Sequence, residues 1–361
     1  MTAASGYHWR AMVAQSTLTP PPSVLATFEL ATDSLVRATS GLINPTWYAR
    51  STRGASLVLQ RVNSIFPAVV NLDIAAVTEH LARKGLLTPR LVPNRDGALW
   101  LEHEGVVWRV LTRIDGVSRD ALESPAQARE AGRVLAEFHR AVSDLDHTFR
   151  NARLGVHDTA RHLRGLREAL VEHRDHRDIH SIAPLAERVL ALATALPELP
   201  ASGDRIVHGD PKISNLMFAH SSDRALCLID LDTLSRMPVA LELGDALRSW
   251  CNPATEDASN ARFVRPLFEA AVAGYAAAAQ GFLTPAEWQA IPAGTLTITV
   301  ELAARFCADA LREKYFAWDD RRYSSASAHN QARTRGQLQV AESLKAEQAA
   351  LDELTARAFQ A

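Results

Sequence analysis

The alternation of apolar and polar positions changes character along the chain. Trp47-Tyr48-Ala49-Arg50 and Leu57-Val58-Leu59-Gln60-Arg61-Val62 flank a turn at Arg53-Gly54, the pattern of a two-stranded hairpin. Leu72, Ala75, Ala76 and Leu81 then recur at helical spacing over residues 71–84, and Gly85 supplies a stop. Residues 98–103 and 106–114 predict a second strand pair about Glu104-Gly105. Residues 36–115 therefore read as a small antiparallel sheet carrying one helix. Residues 1–35, with Pro20-Pro21-Pro22, carry little pattern and are expected to form an arm and a lead-in helix.

From residue 116 onward the period becomes helical. Residues 126–142 place Ala131, Val134, Leu135, Phe138 and Ala141 on one face, behind Ser124 as cap and Pro125 as first helical position. Further helices are predicted over 159–174, 183–196, 263–280, 285–289, 296–314 and 331–359, with Pro197 and Pro200 ending the second of these. No internal repeat is present. The fold class is thus α+β and bilobal, a small antiparallel-sheet N-lobe (36–115) ahead of a larger, mainly helical C-lobe (116–361).

Length and composition narrow the function. A chain of 361 residues fits two domains or one large bilobal unit. Lys plus Arg number 39 against 41 Asp plus Glu, so neither a nucleic-acid backbone nor an anionic membrane surface is an expected partner. The most apolar stretch, 269–283, is alanine-rich and broken by Gly274, Gln280 and Gly281, which suits a buried helix rather than a membrane span. Cys227, Cys251 and Cys307 have no paired spacing, and residues 1–22 lack the pattern of a signal peptide. A reduced, cytoplasmic chain is expected, and nothing in the sequence calls for an obligatory protein partner.

One stretch interrupts the helices. Residues 206–232 read IVHGDPKISNLMFAHSSDRALCLIDLD, two short apolar runs joined by a polar loop. Antiparallel strands bring the start of one run near the end of the other, so Asp210, Lys212 and Asn215 would meet Asp230 and Asp232 at one edge. Phosphoryl transfer needs such a set: a carboxylate to orient the attacking hydroxyl, hard oxygen ligands for magnesium on nucleotide phosphates, and a cation for the transferred group. Protein kinases separate the catalytic Asp and metal-binding Asn of H-R-D-L-K-x-x-N by five positions, and 215 − 210 = 5 here. Asp210 is accordingly read as catalytic base, Lys212 as a phosphate contact, Asn215 and Asp230 as metal ligands for Mg2+ with ATP as co-substrate, and Asp232 as a second-metal or water-mediated ligand. A haloacid-dehalogenase-type reading of D-L-D-T fails, because Leu234 stands where D-x-D-x-[TV] needs Thr or Val and the alternating parallel-sheet pattern is missing.

His208-Gly209-Asp210 with Asn215, followed by Ile229-Asp230, resembles the motif of the aminoglycoside phosphotransferase and choline kinase superfamily. Gly41-Leu42-Ile43-Asn44, LVLQRVN at 57–63, HGDPKISN at 208–215, IDLDT at 229–233, Leu243-Gly244-Asp245 with Arg248, Tyr315-Phe316, and His329-Asn330 with Arg333 are similar to its N-acetylhexosamine 1-kinase branch. The resemblance spans residues 41–335. It implies a protein-kinase-like fold and transfer of the ATP γ-phosphoryl group to the anomeric hydroxyl of a hexosamine. Other acceptors (an aminoglycoside, choline, another sugar or small alcohol) stay open, as does a nucleotide-binding pseudokinase.

The chain departs from the wider kinase pattern at the nucleotide. No G-x-G-x-x-G loop precedes the second strand; Gly41, with Asn44 and Pro45, is the turn available to approach phosphate. Arg61 stands where V-A-I-K has its lysine, with Gln60 beside it and Glu79 on the next helix as a possible ion partner. Arg113 and Ile114 fall where adenine contacts are expected. For the acceptor, His208, Asp245, Arg248, Trp318, Tyr323 and Arg333 are the candidates, the aromatic ones because ring faces stack on sugars. His173, His176 and His180 have a spacing that could bind zinc, but no cysteine supports it, and a solvated histidine-rich face is the expectation.

Overall fold

The computed structural model describes residues 19–38, 43–151 and 156–361, and Gly41 lies outside them. The chain divides into two compact units: Met1–Gly116 with Asp144–Ala152 and Ile229–Ser235, and Val117–Ser143 with Arg153–Leu228 and Arg236–Ala361. No described helix is long and apolar enough to cross a membrane.

The first unit begins with the one-and-a-half-turn helix α1 (Pro22–Thr27) and is built on a five-stranded antiparallel sheet. Its strands are β1 (Val36–Arg37), β2 (Thr46–Arg50), β3 (Ser56–Arg61), β4 (Leu101–His103) and β5 (Val106–Thr112), in the order β1-β2-β3-β5-β4, with α2 (Val70–Arg83) between β3 and β4. Gly54, at φ +87°, makes the β2–β3 turn in the left-handed region that a Cβ disfavours. Trp47 and Ala49, Leu57 and Leu59, and Trp108 and Val110 alternate onto one face and pack with Val24 and Leu25 of α1 and with Phe28 just after it. The same alternation sends Gln60 and Arg109, opposite each other in the β3–β5 register, to the other face. β4 starts three residues later than residues 98–103 predict, because Asn94 Oδ1 accepts the backbone N–H of Asp96 and of Ala98 and holds that stretch as a loop. Within this unit α2 also meets residues 144–151: Asp73 accepts the backbone N–H groups of Arg150 and Asn151, and His80 Nε2 lies 2.9 Å from Asp144.

The second unit contains β6 (Val117–Ser118), α3 (Pro125–Val142), α4 (Thr159–Glu172), α5 (Ile179–Ala193), β7 (Arg205–Val207), β8 (Leu216–Phe218), β9 (Ala225–Leu228), α6 (Val239–Trp250), α7 (Arg265–Ala279), α8 (Pro285–Gln289), α9 (Ile291–Arg312) and α10 (Ala326–Gln360). Ser124 caps α3 as expected, its hydroxyl accepting the Gln127 N–H. β8 and β9 form the predicted hairpin, with Leu216 opposite Leu228 and β6 added at its edge. α9 starts at Ile291 and α10 at Ala326, each five residues earlier than the hydrophobic period indicates. α10 gains its early start from a Ser325 hydroxyl that accepts the Ala328 N–H. The sequence reading lacks α6 altogether. This helix lies against α9 so closely that a Cβ on Gly244 would stand 2.6 Å from the Gly294 carbonyl, and one on Gly294 2.3 Å from the Ala240 carbonyl oxygen. All three cysteines are free and buried, and burial pushes the Cys227 and Cys307 thiols up to about 12.

Candidate active site

In the second unit, β7 delivers the chain into His208-Gly209-Asp210, and a single 3-10 turn (Ile213–Asn215) returns it into β8. Gly209 sits at φ +82°, which only glycine adopts without strain. Helix α6 holds this loop at four points. Glu242 accepts the backbone N–H of His208 at 2.8 Å and of Gly209 at 3.1 Å. The Ser249 hydroxyl accepts the Ile213 N–H, and Trp250 Nε1 donates to the Pro211 carbonyl at 2.8 Å. The sequence reading misses Glu242, Ser249 and Trp250. Their signal was available: Val239, Leu243, Ala246, Leu247 and Trp250 follow a 3.6-residue period behind Pro238.

The loop brings three of the expected residues together. Lys212 Nζ donates to Asp210 Oδ2, and Asn215 Nδ2 donates to the same oxygen at 3.2 Å and to the Asp210 carbonyl at 2.8 Å. Asn215 is buried, and with Nδ2 so committed its Oδ1 accepts no hydrogen bond among the described residues. A hard amide oxygen is thereby left for a cation. Asp230 follows the Leu216↔Leu228 rung by two residues and takes a left-handed conformation (φ 64°, ψ 60°).

His208 is corrected as an acceptor contact. It is 0% exposed, edge-on to Phe138, and its Nδ1 accepts the Asp210 N–H, so the ring supports the loop from within. Asp245 and Arg248, one turn apart on α6, form a buried pair: Arg248 donates to Asp245 Oδ1 at 3.2 and 2.8 Å, and to Glu256 at 3.0 Å. Burial alone would raise the Asp245 carboxyl, but the Arg248 guanidinium, with contributions from His157 and Lys212, brings it below the ordinary carboxylate range. His157 in turn lies 3.0 Å from Glu301 of α9, whose other oxygen accepts the Thr159 hydroxyl at 2.7 Å. Neither His157 nor Glu301 carries a recognisable sequence signal.

The C-terminal candidates divide by role. Arg333 donates to the Ala317 carbonyl and Asn330 Oδ1, Asn330 Nδ2 donates to Asp309, and the Tyr323 hydroxyl donates to Asp257 while its ring stacks on His329. Arg333 and Tyr323 thus fasten the segment between α9 and α10. Trp318, on that segment, is 37% exposed and Tyr315 49%, leaving two ring surfaces for solvent or ligand. His176 pairs with Glu313, and no group of three or more His, Cys, Asp or Glu able to hold a metal occurs among the described residues.

In the first unit the nucleotide-side expectations are redistributed. Arg61 falls on the Leu57–Leu59 side of β3, away from the side shared by Gln60 and Arg109, so it does not stand where a strand lysine would. Arg109, from β5 and 1% exposed, puts a buried guanidinium on that side: Nε donates to Gln60 at 2.9 Å, Nη1 to Asn71 at 3.3 Å, and Nη1 and Nη2 to the two Asp232 oxygens at 2.5 and 2.8 Å. Asn44 Nδ2 donates to Asp232 at 2.6 Å and Asn44 Oδ1 accepts the Asn63 N–H. Both Asp232 oxygens are therefore engaged by protein donors, and the expectation of Asp232 as a metal ligand is corrected on that ground. The Asn44 side chain likewise serves this cluster rather than phosphate. Glu79 is exposed, and α2 reaches the cluster through Asn71 instead. Arg113 is exposed and stacks on the Tyr48 ring at 4.2 Å, while Ile114 is half-buried.

Known proteins resemble part of the sequence, and solved structures resemble the fold. The chain is 28% identical to the homoserine kinase of Rhizobium etli over 173 residues, 48% of this chain and 51% of that one. It is 38% identical to the homoserine kinase of Cupriavidus metallidurans over 66 residues, 18% of this chain and 20% of that one. The matched part thus spans about half the length of the first relative and less of the second. Among solved structures, an amicoumacin kinase in complex with AMP-PNP, Ca2+ and Ami aligns over 88% of this chain and 91% of its own, with a TM-score of 0.62 at 13% identity. An aminoglycoside phosphotransferase from Alicyclobacillus acidocaldarius aligns over 95% and 98%, also at 0.62, with 18% identity. These likenesses establish the aminoglycoside phosphotransferase and choline kinase type of protein-kinase-like fold. The model of the phosphotransferase enzyme family matches residues 34–288, a span that holds both the Asp210–Asn215 loop and Asp230, and the chain belongs to that family.

Proposed function

We propose that the protein is an ATP-dependent small-molecule kinase that transfers the γ-phosphoryl group to a hydroxyl of its acceptor. The observation that carries this reading is the Asp210–Lys212–Asn215 cluster, closed on itself by the hydrogen bonds to Asp210 Oδ2 and braced by α6. Asp210 orients the acceptor hydroxyl and accepts its proton, and Lys212 offsets charge on the transferred group. The kinase-like spacing of Asn215 and Asp230 in the sequence supports each of them as a hard oxygen donor for Mg2+. When bound, the ion would neutralise developing charge on the nucleotide phosphates.

The first acceptor proposed is an N-acetylhexosamine or related hexosamine, phosphorylated at its anomeric hydroxyl. The resemblance of residues 57–63, 208–215, 229–233 and 243–248 to that branch supports it, as do the exposed rings of Tyr315 and Trp318. A second reading, an amino alcohol such as homoserine, is favoured by the names of the two curated relatives and by the ionised Asp245 as a partner for an ammonium group. An ADP-release screen of the protein with ATP and Mg2+ against N-acetylhexosamines, plain hexoses, homoserine, choline and aminoglycosides tests both. Turnover of a hexosamine with phosphorus NMR placing phosphate on the anomeric carbon supports the first. Homoserine turnover selects the second, and no ADP with any acceptor refutes the kinase reading.

A further inference from the structure

The cluster around Arg109 and Asp232 is more elaborate than a sheet needs. A guanidinium and a carboxylate, each 1% exposed, meet bidentately, which is the strongest geometry for such a pair. Three further polar side chains bond to the pair, each from a different part of the first unit: Gln60 from β3, Asn71 from α2, and Asn44 from the stretch before β2. Replacing a buried ion pair by apolar residues often costs nothing in stability, so its presence calls for a role in specificity or positioning. Asp232 lies in the 3-10 turn Leu231–Thr233, whose N-terminal flank is Asp230 in its left-handed conformation. A non-glycine residue there is strained by about 1 kcal/mol or more and persists only when its surroundings hold it. Anchoring Asp232 fixes the chain two residues beyond Asp230.

We propose that Arg109 is a positioning residue for Asp230: by clamping Asp232 with both arms of its guanidinium, it fixes the turn that presents the Asp230 carboxylate to the divalent cation. The inference rests on the metal role given to Asp230 above. Arg109 is the buried cation on the sheet face where a strand lysine is missing, and it acts through a carboxylate of its own chain rather than through phosphate. Gln60 and Asn71 hold the guanidinium in register, and Asn44 supplies a third hydrogen bond to Asp232.

The test is Mn2+ binding in the presence of ADP, followed by electron paramagnetic resonance, with metal-free ADP binding measured alongside. Removing groups that orient a metal ligand typically lowers affinity by about 10- to 100-fold. Asp232→Asn and Arg109→Lys are expected to weaken Mn2+ binding by that factor while metal-free ADP binding changes little. A folded Asp232→Asn protein with wild-type Mn2+ affinity, in a series where Asp230→Asn weakens it, overturns the proposal. If Asp230→Asn itself leaves Mn2+ binding unchanged, the metal reading fails and this proposal falls with it. Where a charge variant does not fold, Asn44→Ser decides, since it removes one hydrogen bond from Asp232 without stranding a charge. Several-fold weaker Mn2+ binding in Asn44→Ser supports the clamp, and wild-type binding overturns it.

Discussion

The Glu242 carboxylate accepts two consecutive backbone N–H groups, those of His208 and Gly209, and so fixes the peptide that introduces Asp210. Glu242 is itself 1% exposed, and His139 Nε2 lies 3.7 Å from it, with the far side of that ring meeting the Tyr275 hydroxyl at 2.8 Å. A buried carboxylate is costly unless such donors satisfy it.

Glu242→Gln tests this brace. Glutamine offers one acceptor oxygen and turns an amide N–H toward the second backbone donor, so one buried N–H loses its partner at about 1–3 kcal/mol. The variant is expected to melt several degrees lower and to lose about tenfold or more in kcat through misplacement of Asp210. Calorimetry and steady-state kinetics measure the two effects separately. Unchanged kcat in a destabilised protein would reduce Glu242 to a stability role.

Asp210→Asn keeps the shape of the loop, because an amide oxygen can still accept from Lys212 or Asn215. On the proposed mechanism, what it removes is the group that accepts the acceptor's proton. The expected result is ADP binding close to wild type with kcat lowered by about 10²- to 10⁴-fold. Isothermal titration and ADP release measure the two quantities. A near-normal rate would exclude Asp210 as the base.

Much of this was legible in the chain because local pattern and local structure agree. The β2–β3 turn, α2 with its Gly85 stop, the Ser124 cap and the β8–β9 hairpin are all set by residues close in sequence. The illegible parts depend on long-range register or burial. Arg109 sits in VVWRVLT, where nothing distinguishes an exposed arginine from a buried one until the Gln60↔Arg109 pairing fixes its side of the sheet. Asp230 and Asp232 look alike as D-L-D, and neither the left-handed conformation of Asp230 nor the Arg109 and Asn44 donors on Asp232 can be read from that pattern. His208 reads as a site residue from its motif, yet the ring is the buried support of that motif.

The His157–Glu301 pair predicts a pH dependence. Burial lowers the His157 imidazole, but the Glu301 carboxylate, and further off Asp245, outweigh this and lift it above its ordinary 6.5, with Arg305 opposing. A histidine whose folded-state value is raised adds stability that is fully present below about 6.5 and is lost as pH rises through the raised value. His157→Gln should therefore lower the melting temperature more at pH 6 than at pH 8.5, as read by differential scanning fluorimetry in matched ionic strength. A gap that does not shrink with rising pH would mean that His157 is held neutral.

Gly294→Ala addresses the helix that carries the brace. The added methyl would stand 2.3 Å from the Ala240 carbonyl oxygen and 2.9 Å from its carbon, a backbone contact that no side-chain rotation relieves. α6 must move off α9, and Glu242, Ser249 and Trp250 move with it. Overpacking of this kind costs about 1–3 kcal/mol, partly offset by alanine's better helix propensity. Stability and kcat should therefore fall together in Gly294→Ala, although Gly294 lies on α9 and belongs neither to α6 nor to the Asp210 loop. In contrast, Gly165→Ala on α4 would meet only the far end of the Arg312 side chain at 3.6 Å and should preserve both. Thermal melts and kcat for the two variants, compared side by side, decide whether the close approach of α6 and α9 sets the position of Asp210. Wild-type kcat in a destabilised Gly294→Ala protein would separate the helix contact from the loop.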